Sequence, residues 1–235
     1  MAAAALALPA AATAEVTQSL DVSATPNKAS TKSKKTSITV NFSTGTKDST
    51  GALAPTTTKA SVAFPKGSVW NGDLLPKCSS SSIDAAKSTD DCPEGSIVGS
   101  GTVEASAPGG ITQKDVTIIA ANGGKSLVNL FLEGSSPLRI QSNLPVKISK
   151  GSGDFGLALN VNIPESLQEP APGVPVSINK FQVKVGKKFK DKKGKTRGLV
   201  EVNECKGGKW KARGTFSFRT HEPITVDDSF PCKKG

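Results

Sequence analysis

The sequence has no tyrosine, one histidine, one methionine and two tryptophans in 235 residues. Each scarcity narrows the available chemistry. A Ser-His-Asp or Cys-His arrangement would have to use His221, which sits beside Glu222 and Pro223. No G-x-S-x-G elbow accompanies it, because Gly95-Ser-Ile-Val-Gly99 has its serine one place too early. Without tyrosine, aromatic surfaces for stacking sugars are scarce. Zinc would need C-x(2–4)-C spacing or further histidines, and EF-hand and P-loop spacings are missing as well. Gly99-Ser-Gly101-Thr-Val-Glu104 begins like a dinucleotide fingerprint but lacks the third glycine and a following helix, so it reads as the entry to a strand. The acidic groups Asp90, Asp91 and Glu94 near Cys92, and Asp227 and Asp228 near Cys232, are the candidates for carboxylate-dependent glycoside hydrolysis. Adjacent acids on loops are usually solvated charge. A non-enzymatic protein without cofactor or metal is therefore expected, with a carboxylate-dependent hydrolase as the alternative.

Long hydrophobic runs are also missing. A bilayer-spanning helix needs about 20 apolar residues. The longest small apolar run, residues 2–12, falls short of that. It is broken by Pro9 and leads into Ala12-Thr13-Ala14, which fits the small-x-small cleavage pattern of a secretory signal. Residues 1–14 are accordingly expected to be a signal peptide, with a mature protein beginning at Glu15. No Lys or Arg follows Met1, so the true start is expected to lie upstream, or the segment to have been trimmed. The mature protein is expected to be secreted or extracytoplasmic, soluble and not membrane-anchored.

What is present fits an exported chain. The four cysteines are Cys78, Cys92, Cys205 and Cys232. An even count in an exported protein reads as a disulfide framework with three possible connectivities. The local pairs Cys78–Cys92 and Cys205–Cys232 are preferred, since each lies within one segment. Between them, hydrophobic residues alternate with polar ones. Leu20, Val22 and Ala24 do so, as do Ile38, Val40 and Phe42, and Ala60, Val62 and Phe64. The clearest run is Phe155, Leu157, Leu159, Val161 and Ile163. A strand sends successive side chains to opposite faces, so this period of two describes half-buried strands. Leu127 to Leu132 is continuously apolar and predicts a strand covered on both faces. Turn chemistry at Asn122-Gly-Gly, Gly151-Ser-Gly-Asp and Lys206-Gly-Gly-Lys separates the runs. Short helical turns are expected after a Ser cap at Ser82–Lys87 and at Pro164–Glu169. The fold class expected is all-β, an antiparallel sandwich-like domain over 15–235. The alternative is two packed β subdomains split near residue 110.

Formal charge is +10. It is densest in Lys184-Val-Gly-Lys-Lys-Phe-Lys-Asp-Lys-Lys-Gly-Lys-Thr-Arg197, where eight cations and one Asp share fourteen residues. Strand-like Phe181, Val183 and Val185 precede it and Leu199, Val200 and Val202 follow, so the segment reads as a hairpin tip. Lys184, Lys187, Lys188, Lys190, Lys192, Lys193, Lys195 and Arg197 are the candidate polyanion-binding residues. The expected partner is an anionic cell-wall polymer or a membrane surface. Nucleic acid is disfavoured, because no RNA-binding aromatic signature accompanies the lysines. The strand after it is expected to add Lys209, Lys211, Arg213 and Arg219, with Glu201 and Glu204 neutralising some of them across a hairpin. The bland alternative is a solvated tip that discourages edge aggregation, on a surface scaffold with no ligand.

Phe64-Pro-Lys-Gly-Ser-Val-Trp-Asn-Gly72, Cys78-Ser79 and Cys92-Pro-Glu-Gly-Ser-Ile-Val-Gly-Ser-Gly101 carry a resemblance, as does the ending from Cys205 through Lys209-Trp210 to Pro231-Cys232. Together they resemble a group of β-rich proteins exported by actinobacteria. That resemblance implies export, two local disulfides and a β-rich fold. It carries over no functional site.

Overall fold

A computed structural model describes residues 15–30 and 35–234. The expected signal segment, 1–14, lies outside the described residues. In chain order the strands are β1 (Val16–Thr25), β2 (Lys28–Ala29), β3 (Thr36–Asp48), β4 (Thr57–Pro65), β5 (Val69–Trp70) and β6 (Ile97–Ala107). There follow β7 (Ile111–Gly124), β8 (Leu127–Gly134), β9 (Ile140–Lys150), β10 (Phe155–Asn162), β11 (Ser177–Val185) and β12 (Lys188–Lys190). The chain ends with β13 (Thr196–Gly198), β14 (Val200–Val202), β15 (Lys209–Phe218), β16 (Ile224–Pro231) and β17 (Lys233–Lys234). Helix is confined to α1 (Ser80–Ala86), α2 (Glu165–Gln168) and two single turns, at Gly72–Leu74 and Pro108–Gly110. The all-β antiparallel class read from the alternation is what the chain adopts. Among the described residues, no helix is long and apolar enough to cross a membrane.

One sheet runs in the order β16-β15-β4-β10-β9-β8-β7-β6-β11-β3, with β1 on the free edge of β3. Strands from either side of residue 110 are interleaved within it, β4 lying between β15 and β10, and β11 between β6 and β3. Every neighbouring pair in this path is antiparallel. The eleven strands curl until the two ends, β1 and β16, lie side by side. An odd number of alternating strands brings those ends together parallel, so the seam cannot be closed by one more antiparallel ladder. It is closed by other means. The Val22 N–H donates to the Asp228 carboxylate at 2.7 Å. Further along, β2 and β17 form a short parallel pair, with Lys233 N–H donating to Asn27 C=O at 2.8 Å. The Cys205–Cys232 disulfide joins the β14–β15 loop to the chain between β16 and β17.

The inward side chains form one core, including Val62, Phe64, Leu130, Val146, Leu157 and Trp210. β8 is also covered outside, as its continuous apolar run predicted. There Ile83 of α1, Cys78, Ala121 and Phe131 make a second, smaller core. The Ser79 hydroxyl caps α1 by accepting from Ser82 N–H, and Cys78–Cys92 closes the loop that carries the helix. Buried Asn129 and Asn122 tie this loop to the sheet through the carbonyls of Cys78, Gly72 and Pro76. Gly99-Ser-Gly101 lies within β6, against β11. A Cβ on Gly101 would sit 2.0 Å from the Gln182 carbonyl oxygen, so glycine there serves close strand approach.

Candidate functional site

The cationic segment forms its own two-stranded hairpin, β12 against β13, with Lys188 opposite Gly198 and Lys190 opposite Thr196. Its flanks do not continue that hairpin. β11 and β14 instead lie end to end on the same edge of β3, with Val185 opposite Val40 and Val200 opposite Ile38. The hairpin is therefore an excursion between two strands that share one partner. The tip is organised by Asp191, whose carboxylate accepts from Lys193 and Lys195 N–H at 2.9 and 3.0 Å. Gly194 takes the positive φ that the turn requires.

Two of the eight candidate cations are engaged by the protein itself. Arg197 makes a two-pronged contact with Glu201, at 2.9 and 3.1 Å, and Glu201 is only 3% exposed. Burial pushes the Glu201 carboxyl up. The Arg197 side chain, the Gly198 N–H and Asn71 together outweigh that and hold it below its ordinary value. Lys187 donates to the Gly95 and Ile97 carbonyls, fastening the hairpin base to the chain after Cys92. The other six, Lys184, Lys188, Lys190, Lys192, Lys193 and Lys195, are exposed. Among the described residues none of these six is ion-paired.

The expected extension of this patch along the following strand is corrected. β15 pairs with β4 and β16, and Glu201 lies on β14 beside β3 and β5. Arg213 is bound in two-pronged fashion to Asp227, at 2.6 and 2.8 Å, and lies 5.6 Å over the Phe155 ring. Lys211 faces Asp154 at 3.9 Å. Arg219 binds Glu165 and Glu169. These three cations have nearby acids, whereas Lys209 is exposed and not ion-paired among the described residues.

The carboxylate candidates occupy other roles. Asp227, Asp228, Asp154, Lys211 and Arg213 share a cleft over β4, β10, β15 and β16. Arg213 holds the Asp227 carboxyl below its ordinary value, whereas a general acid needs it raised. Asp228 is committed to the seam. Asp90, Asp91 and Glu94 are exposed around Cys92. His221 is exposed, its Nδ1 is 2.7 Å from the Glu222 carbonyl, and its ring packs edge-on to Phe218. Among the described residues no group of three His, Cys, Asp or Glu is placed to hold a metal ion.

A feature with no local sequence signature is the hollow interior. A cavity of about 170 Å³ lies inside the curled sheet. Val40, Phe42 and Val183 line it from β3 and β11, and Leu159, Val161 and Ala60 from β10 and β4. All six are only half-buried. Alternation marks such residues as inward, but it cannot say whether the opposite wall touches them.

No protein-family model, no curated protein and no solved structure matches this chain.

Proposed function

We propose that this is an exported, non-enzymatic binding module of the cell envelope that attaches to an anionic cell-wall polymer through the hairpin Lys188–Gly198. The observation carrying this reading is six exposed lysines, free of ion pairs among the described residues, on and beside a hairpin anchored by Arg197 and Lys187. Two disulfides suit an oxidising compartment outside the cytoplasm. Anchoring matters because it holds several charges close together at little further entropic cost on binding. Lysines act as strongly hydrated point charges without a fixed fork geometry. Binding should then follow ligand charge density rather than stereochemistry. Nucleic acid is a poorer fit, since an exported protein seldom meets it.

The test is retention of the oxidised protein on immobilised teichoic acid across a salt gradient. The Debye length falls from about 30 Å at 0.01 M to about 3 Å at 1 M, so retention should be strong at low salt and lost at high salt. Changing Lys188, Lys190, Lys192 and Lys193 together to Ser should lower low-salt retention several-fold and leave the circular dichroism spectrum unchanged. Retention on anionic vesicles but not on the polymer would move the partner to a membrane surface. Equal retention of variant and parent would make the hairpin a solubility device on a scaffold without a ligand.

A further inference from the structure

An eight-stranded barrel has an interior that its own side chains just fill, and wider barrels enclose ligand cavities. The path around this ring has eleven strands, from β16 to β1. Its walls are held by backbone ladders on all sides but the seam, so they cannot collapse inward as loosely packed helices can. The side chains lining the space lose dispersion contacts that a guest would restore. We propose that the interior cavity is a binding site for one small, uncharged, apolar molecule, about the size of a single aromatic ring with a short alkyl substituent. An engineered protein cavity of about 150 Å³ lined by Leu, Ile and Phe stays dry and accepts benzene. The cavity here, about 170 Å³, is of that class.

The lining sets the chemistry of the guest. Among the described residues it contains no Asp, Glu, Lys, Arg or His. A charged group would lose its hydration there and meet no counter-charge. Most of the polar lining gathers at one end, where Gln18, Thr44 and Thr46 lie at the β1 and β3 ends and Thr57 at the start of β4; Ser68 lies past the other end of β4. Gln18, Thr44 and Thr46 are bonded within the wall: Gln18 Nε2 donates to Thr44 Oγ1 at 2.6 Å, Thr46 Oγ1 donates to Gln18 Oε1 at 2.7 Å, and Thr44 Oγ1 donates to Ser19 C=O at 2.6 Å. The guest needs no polar group of its own. The segment joining β10 to β11 leaves and re-enters the sheet at this same end. It is held there by Arg219 on Glu165 and Glu169 of α2 and its flank.

Both tryptophans of the chain, Trp70 and Trp210, line the cavity, so intrinsic fluorescence reads its contents. The experiment titrates the oxidised protein with toluene, and with benzoate as the charged counterpart. Toluene should give a saturable change in tryptophan fluorescence. At a hundredfold excess over its dissociation constant it should raise the melting temperature by about 5–10 °C. Benzoate should do neither. Val183→Phe places a ring in the cavity and should abolish the toluene effect. Should that variant fail to fold, Val161→Ile and Val183→Ile, each of which adds one methylene to the lining, should weaken it in proportion to the space they fill. The hairpin Lys→Ser variant should respond to toluene like the parent, because the cavity and the hairpin are separate. No saturable toluene response up to aqueous saturation would overturn the proposal. So would an unchanged response in the folded cavity-filling variants, which would place the binding elsewhere.

Discussion

Replacing Arg197 by Ala probes the joint between the hairpin and the barrel. The parent pair is asymmetric: the Glu201 side chain is 4% exposed and that of Arg197 24%. Removing the arginine strands a buried carboxylate, whose remaining partners are the Gly198 N–H, at 3.0 Å, and the Asn71 side chain. Leaving one buried charge of a pair unmatched costs about 3–5 kcal/mol. The partial exposure of Arg197 puts this case near the lower figure, about 3 kcal/mol. In urea that is a midpoint drop of roughly 1 M. The pH dependence separates this cause from lost packing. In the parent, Glu201 has a folded-state value lowered from 4.5. Its contribution is thus present above that unfolded value and is lost as pH falls through the lower, folded one. Without Arg197, burial dominates and the carboxyl of the folded variant moves up, so acid relieves its penalty. The gap between parent and variant should therefore narrow from pH 7 to pH 4. Arg197→Ala combined with Glu201→Gln should recover most of the loss at pH 7, since the amide oxygen still accepts from Gly198. Urea denaturation of the parent and both variants at the two pH values measures all of this. A single variant within 0.5 kcal/mol of the parent at pH 7, or an equal gap at both pH values, would refute the account.

The seam gives a second prediction: Asp228→Ala removes the charged acceptor of Val22 N–H and should cost about 1.5–3 kcal/mol, read by denaturant unfolding. Amide exchange at Val22 should speed up more than at Leu130, which lies far from the seam. Under the outer layer, Ile83 is 0% exposed, and Ile83→Ala should cost about 2–5 kcal/mol. Exchange protection should fall first in α1 and the Cys78–Cys92 loop, with the barrel strands less affected.

Local rules were enough for much of this molecule. Alternation placed Phe155 to Val161 and Ile38 to Phe42 on strands, because side-chain direction in a strand depends only on the next residue. The continuous run Leu127 to Leu132 correctly announced a strand covered on both sides, and serine before an apolar turn announced α1. The disulfide pairs followed from short separations, which leave few geometries open. Charge density marked the hairpin.

Tertiary structure decided the rest. Lys187 and Arg197 look like their neighbours in sequence, yet one meets carbonyls 92 and 90 residues away and the other a carboxylate buried by β3 and β5. Arg219 is neutralised by Glu165 and Glu169, 54 and 50 residues away, and Arg213 by Asp227 directly across the β15–β16 hairpin, because β15 pairs with β4 and β16 rather than β14. The parallel seam follows from the odd number of strands, a property of the ring and not of any strand. The hollow interior has the same origin: a sequence states which side chains face inward, and only the diameter of the closed sheet determines whether they reach one another.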